Sequence, residues 1–346
     1  MSASAPTAPD SCRAYTVAWI AALSHERAAA EAMLDVKHKK PPADFRKNAS
    51  DPNTYTWGTV EGHHVVIAAL PVGEYGTNAT ATIAQGLRSS LPHIRIGLLV
   101  GIGAGVPGEQ LGRDGRAMLQ QDIRLGDVAV SVPQSTSGGV VQVDLVKAKT
   151  ISGKDILERK GHLDSPPMAI RTALSKLQAE HELDDSRIPE FLEQAFQKHP
   201  KMKAKYAHPG MKAEQQQIEP KVDIYNAQDG REITREARAI PEIHYGVIAS
   251  SNTLEKSSSY RREVLARLEE EHIAPICFEM EAAGLMNSFP CLVIRGICDY
   301  ADEHKNDDWQ RYAAATAAAF AKELLSYMDR EEVDQAAMIG DLLKDS

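Results

Sequence analysis

The sequence is poor in cysteine, in long apolar runs and in positive charge, and each shortage closes off a class of protein. Its four cysteines, Cys12, Cys277, Cys291 and Cys298, contain no C-x-x-C pair. Neither a disulfide framework nor a cysteine zinc site is written here, and reduced thiols in a cytosol fit the spacing. No stretch approaches the ~18 apolar residues that cross a bilayer. The Ser/Ala/Pro-rich first ten residues lack the basic start and apolar run of a secretory signal. A flexible tail over residues 1–14, a cytoplasmic location and no membrane partner are expected. Lys and Arg number 39 against 48 Asp and Glu, a formal net charge of −9. A protein whose main task is to neutralise nucleic-acid phosphates carries the opposite balance, so no nucleic-acid partner is expected and a small or uncharged ligand suits the chain better.

What is present is a globular composition, 43% hydrophobic and 25% charged over 346 residues. Residues 15–23 (YTVAWIAAL) read as a buried strand feeding a helix in SHERAAAEAML. Residues 54–60 and 63–70 read as a hairpin turning at Glu61-Gly62, and 77–89 as a helix with small residues on its packing face. Further strands are expected at 94–101, 122–132, 139–146, 245–249, 274–278 and 291–297, with helices at 257–270, 281–288 and 307–328. Residues 151–240 shift toward Lys, Glu, Gln and scattered Pro and read as a largely helical insertion. Strands and helices alternating at both ends predict one α/β domain over residues 15–330, with helices on both sides of a central mixed sheet, a three-layer α/β/α arrangement. Residues 331–346 are expected to form a second tail.

Ligands of such sheets bind beyond the carboxyl ends of the strands, and three strand ends here carry acids. Glu26 follows the first strand, Glu279 and Glu281 flank Met280 after the strand at 274–278, and Asp299 and Asp302 follow the strand at 291–297. Breaking an N-glycosidic bond needs such a set: an acid to protonate the leaving base, a carboxylate to hold sugar hydroxyls, and a third to orient the attacking oxygen. Each acid also has a plainer reading as a helix cap or a first-turn dipole partner. Only one of Glu279 and Glu281 is expected to point its side chain into the crevice. The run Gly101-x-Gly103-x-Gly105 lacks the third glycine of a dinucleotide fingerprint, and Gly103 is better placed to bring backbone close to a sugar. His25-Glu26 is not followed by the second histidine of a zinc protease, so no metal and no cofactor are implied.

Four segments, VAWIAALSHERAA, LLVGIGAGVP, CFEMEAAGL and VIRGICDYADEHKNDDWQRYAA, resemble the nucleoside phosphorylase and nucleosidase family, which includes purine nucleoside phosphorylase and methylthioadenosine/S-adenosylhomocysteine nucleosidase. Within it the chain is most similar to fungal-type purine nucleosidases. The resemblance covers residues 15–150 and 243–328 and implies the phosphorylase/hydrolase-like version of the three-layer fold. It implies Asp299 as the acid that donates to purine N7, Glu281 on the ribose hydroxyls, Met280 on the sugar face with Glu279 beside it, and Glu26 on the attacking water. It places Asn252 and Leu254 in the base-contacting loop, with Leu254 at a position that is often aromatic. Where phosphorylases of the family bind phosphate through an arginine and a serine, this chain has Leu99 and Ile102, although Arg27 falls near a phosphate-binding arginine of some relatives. The expected function is therefore hydrolysis of purine ribonucleosides (inosine, guanosine or adenosine) to free base and ribose in purine salvage. A homo-oligomer, preferably a dimer, is expected. Phosphorolysis, or a methylthioadenosine or nucleotide substrate, stays open on the same scaffold. From another class, so does a non-catalytic nucleoside-sensing module.

Overall fold

The computed structural model describes residues 8–111, 117–151, 154–210, 223–226, 232–235, 240–253, 258–302 and 307–343. Its strands are β1 (Tyr15–Ala21), β2 (Val36–His38), β3 (Thr56–Val60), β4 (His63–Ala69), β5 (Ile96–Gly105), β6 (Gly108–Leu111), β7 (Ala117–Gln121) and β8 (Val128–Ser131). They continue as β9 (Val140–Gln142), β10 (Val146–Ile151), β11 (Lys154–Arg159), β12 (Asp223–Asn226), β13 (Glu232–Arg235), β14 (Ile243–Ser250), β15 (Pro275–Glu279) and β16 (Leu292–Asp299). The helices are α1 (Ser24–Met33), α2 (Thr77–Ser90), α3 (Met168–His181), α4 (Ile188–Lys198), α5 (Pro200–Tyr206), α6 (Ser258–Glu270), α7 (Gln310–Ser326), α8 (Arg330–Gln335) and α9 (Ile339–Leu342). Among the described residues no helix is long and apolar enough to cross a membrane.

Alternation along β1 builds the layers. Val17 and Trp19 enter the core shared with α1 and α7, while Ala18 and Ile20 enter the core shared with α2 on the other face. The sheet runs β2-β3-β4-β1-β5-β16-β8-β14-β15. Its centre, β4, β1, β5 and β16, is parallel, whereas β2/β3, β3/β4 and β16/β8 are antiparallel, so the mixed sheet expected from sequence is what forms.

Periodicity does not announce the closure of this sheet. β15 also pairs antiparallel with the end of β5, Cys277 opposite Gly105 and Phe278 opposite Ala104, so β5-β16-β8-β14-β15 curl into a ring. β5 therefore runs through the glycines instead of ending at Gly101. A Cβ at Gly103 would lie 2.5 Å from Cys277 Sγ and 2.9 Å from the Phe278 carbonyl oxygen, a close approach that only glycine permits.

α7 is buried from Tyr312 to Leu325 and lies directly on β16, where a Cβ at Gly296 would come within 1.9 Å of the Ala313 carbonyl oxygen. At its far end the buried Glu323 carboxylate accepts hydrogen bonds from Ser186 Oγ (2.7 Å) and the Arg187 N–H (2.8 Å) and meets His181 Nε2 (3.0 Å). These contacts tie the α3–α4 connection to the core. The segment 151–240 is thus helical over α3 to α5 and carries hairpin strands on both sides, β10/β11 and β12/β13. Residues 331–346, expected as a tail, hold the rest of α8 and all of α9, with Val333 and Ile339 buried and Asp329 capping α8 by accepting from the Glu331 and Glu332 N–H groups. The helix expected at 281–288 is a single 3-10 turn, Ala282–Gly284; there the backbone is pressed so closely against Thr77 that a Cβ on Gly284 would fall 2.0 Å from its carbonyl oxygen.

Candidate active site

The carboxyl ends of β1, β5, β15 and β16 surround a cavity of about 340 Å³ whose lining includes Glu26, Gly103, Glu279, Met280, Glu281 and Asp299. Six of the residues singled out from sequence thus meet in one place. Asn252 does not line the cavity: its side-chain oxygen accepts from the N–H (2.9 Å) and Oγ1 (3.0 Å) of Thr77, anchoring the first turn of α2, while its neighbours Ser251 and Thr253 are in the lining. Leu254 lies outside the described residues. Asp302 is buried but is not part of the lining.

Glu26 is the third residue of α1 and is 3% exposed. Its Oε2 accepts from the Ala22 (2.7 Å) and Leu23 (2.8 Å) N–H groups, and its Oε1 from the Ile102 N–H (2.8 Å). The carboxylate therefore bridges the ends of β1 and β5. An ionised carboxylate offers about four acceptor positions, and these three N–H groups take three of them.

Asp299 ends β16, with Oδ1 accepting from the Ala301 N–H (2.9 Å) and Oδ2 from the Cys298 thiol (3.1 Å). Ala301 is held at φ 53°, a conformation uncommon for a residue with a Cβ, so the turn after Asp299 is fixed by its surroundings.

Glu279 and Glu281 are both buried and both line the cavity, against the expectation that only one would face it; two residues apart, they start from the same face of an extended chain. The chain leaves its extended form at Glu279, and that carboxylate folds back to accept from the Glu281 (3.0 Å) and Ala282 (3.0 and 3.1 Å) N–H groups. Glu281 Oε1 instead faces the Gly76 N–H at 3.4 Å.

Beneath both lies Arg295, which the sequence reading passed over. It is fully buried in β16 and its Nη2 pairs with Glu279 Oε2 and, at 3.2 Å, with Glu281 Oε2. Among the described residues its Nε and Nη1 have no hydrogen-bond partner, and Nη1 and Glu26 Oε1 flank the same point, 2.4 and 2.5 Å from where a Cβ on Gly101 would sit. The signal was available: an arginine inside the apolar strand LVIRGIC is costly unless a buried acid meets it. Burial pushes the Glu281 carboxyl up to about 7, Arg295 opposing and the charges of Glu279 and Glu26 adding to the rise.

The lining's charge is one-sided. It holds five carboxylates, including Asp307, and among the described lining residues no Lys, Arg or His. Arg27 is drawn off to Glu31 (3.1 Å), Thr54 (3.2 Å) and Thr56 (2.9 Å), Leu99 is in the core, and Ile102 presents its N–H to Glu26. Among the described residues, no group of three or more potential metal ligands comes together inside the cavity. Outside the cavity, Asp127, Glu242 and His244 bring ligand atoms within 4.8 Å of one another, but Asp127 already accepts from the Arg124 and Glu242 N–H groups and meets His244 Nε2.

No family model matches the chain. It is 42% identical over 327 residues to a nucleotide-binding leucine-rich repeat (NLR)-like protein of Hyaloscypha variabilis; the match takes in 90% of this chain, which spans 29% of that protein's length. Among solved structures it is similar to the 5′-methylthioadenosine/S-adenosylhomocysteine nucleosidase of Neisseria meningitidis in complex with methylthio-immucillin-A, with TM-score 0.53 and 15% identity over 90% of this chain and 99% of that one. The corresponding Colwellia psychrerythraea enzyme in complex with adenine gives TM-score 0.53 and 16% identity over 90% and 95%. The futalosine hydrolase of Helicobacter pylori gives 0.51 and 15% over 91% and 99%. At such low identity the likeness establishes architecture: this chain has the mixed α/β fold of these nucleosidases.

Proposed function

We propose that the chain is a metal-free nucleosidase that hydrolyses the N-glycosidic bond of purine ribonucleosides to free base and ribose. The observation that carries this reading is the meeting of Glu26, Glu281 and Asp299 on one cavity of about 340 Å³ at the strand ends. Asp299 protonates the departing base, Glu281 accepts from the ribose hydroxyls, and Glu26 Oε1 orients the water that adds to the oxocarbenium-like sugar. Arg295 keeps Glu279 and Glu281 in place from below. The excess of carboxylates among the described lining residues supports water over phosphate as the nucleophile, because an anion entering among them meets like charge and no described lining Lys, Arg or His. Incubation with inosine, guanosine and adenosine in phosphate-free buffer tests this: base and free ribose are expected at an unchanged rate when phosphate is added. Dependence on phosphate, with ribose 1-phosphate as product, would establish phosphorolysis instead.

The similarity to part of an NLR-like protein favours a second reading, in which the same cavity binds a nucleoside as a signal without turning it over. Calorimetry alongside the assay separates the two: saturable nucleoside binding with no base released supports sensing.

A further inference from the structure

The opposite end of the sheet carries the reverse charge pattern. Between the end of α2, the turn that enters β5 and the short helix α9 lies a second cavity, of about 1120 Å³. Arg13, Arg88, Arg95 and His93 line it, and among its described lining residues Asp341 is the one carboxylate. On a chain of net charge −9 this is a local reversal of sign. It is also remote from the carboxylate-lined cavity: Arg95 precedes β5, whose other end holds Ile102 to Ala104, roughly 20 Å away along an extended strand.

The arginines are positioned without being used up. Arg95 Nη1 donates to the Ala336 carbonyl and Arg88 Nη1 to the Ser288 carbonyl (3.1 Å), so each fork is anchored through one arm and keeps further donors. The Arg13 guanidinium makes no hydrogen bond or ion pair with any described residue. Their charges reach a common point. Burial pushes His93 below its ordinary value, the Cys12 backbone opposes this, and Arg13 and Arg95 push it down further while Asp44 pulls it up. Asp44 itself is outside the lining, where it accepts from Ser11 Oγ (2.7 Å) and the Cys12 N–H (2.7 Å).

Between the charges the walls are apolar, from Leu91, Pro92, Ile94, Phe289, Met338 and Ile339, and the Ile339 N–H fixes α9 to the Ile94 carbonyl at 2.9 Å. From this we infer that the cavity binds a small organic phosphomonoester, its phosphate among Arg13, Arg88 and Arg95 and a flat apolar body against Leu91, Pro92 and Met338. Three guanidinium charges against one carboxylate leave an excess of two, close to what a phosphomonoester carries at neutral pH, whereas a carboxylate ligand balances half of it. Arginine forks match phosphate oxygens in pairs, and their planes stack on flat rings. An inorganic ion would leave the apolar walls wet; a body of apolar atoms covers them. The inference is independent of what the strand-end cavity does.

The test is fluorescence titration of the full chain with 1-naphthyl phosphate, a probe that has no sugar, at low ionic strength, with 1-naphthol and inorganic phosphate titrated alongside by calorimetry. The ester is expected to saturate one site about tenfold more tightly than either control, and to be released by salt. Arg13→Gln with Arg88→Gln is expected to weaken it about tenfold or more at an unchanged melting temperature, and Arg13→Gln alone, which breaks no described hydrogen bond, to act in the same direction. Absence of saturable binding of the ester, or binding undiminished by these substitutions, overturns the site. Inorganic phosphate bound as tightly as the ester overturns the organic ligand and leaves a plain anion hole.

Discussion

At Glu281 three influences compete: burial and the neighbouring Glu279 and Glu26 raise its carboxyl, Arg295 lowers it, and the outcome is about 7. A group whose folded value is raised contributes stability that is fully present below its unfolded value and is lost as pH rises through the folded one. For Glu281 that loss runs from its ordinary 4.5 to about 7. His64 works in the opposite sense. Burial first, then the charge of Arg330, depresses it to about 4, so its contribution is present above 6.5 and is lost as pH falls toward 4. The two offset each other across the same interval. Glu281→Gln should unmask the histidine: melting temperature should climb more steeply between pH 4.5 and 7 than in the parent, and parallel profiles would show that Glu281 ionises like an exposed carboxyl. Asp299→Asn retains the oxygen that accepts from Ala301, so circular dichroism should be unchanged while kcat falls by about 10²–10⁴; turnover within a fewfold of the parent removes Asp299 from the chemistry. At this scale Glu26, Glu281 and Asp299 were legible because each follows directly on an apolar strand. Arg295 was legible in principle, as a charge inside such a strand.

Elements recovered from sequence are those whose signals are local. The β3/β4 hairpin turns at Glu61 and Gly62, both at positive φ, and α1 begins where the acid of SHER can reach back to the preceding N–H groups. The helix expected at 281–288 failed for a tertiary reason: the close pass of Gly284 by Thr77, which composition does not encode. Two substitutions test the packing of elements. Gly296→Ala drives a methyl into the Ala313 carbonyl and should cost stability at the upper end of the about 1–3 kcal/mol usual for overpacking, read as a lower urea midpoint at constant m; a midpoint unchanged from the parent would mean that α7 shifts freely on β16. Glu323→Ala leaves the Ser186 hydroxyl and Arg187 N–H without their acceptor and should cost about 1–3 kcal/mol, with amide exchange accelerated over 168–198 more than in β1 or β5. Uniform acceleration would mean that the α3–α4 helices and the sheet unfold as one unit.

For the whole molecule the decisive feature is the closing of β15 onto β5. It brings Glu279 and Glu281, some 250 residues after Glu26 in the chain, to the same rim. Alternating strands and helices foretold the mixed sheet; they carry no information on which strand ends meet, because that depends on long-range register and on glycines small enough for two strands to touch. The acids come together because β1, β5 and β16 run parallel and end on one side, and β15 meets β5 only at that end, Cys277 opposite Gly105 and Phe278 opposite Ala104. The most direct measurement is a crystal structure of the Asp299→Asn variant soaked with adenosine. Expected is a nucleoside in the cavity with purine N7 about 3 Å from the side chain at 299, ribose hydroxyls on Glu281, and a water against Glu26 Oε1 below the sugar. A nucleoside bound elsewhere, or bound here with its base turned away from residue 299, contradicts the assignment.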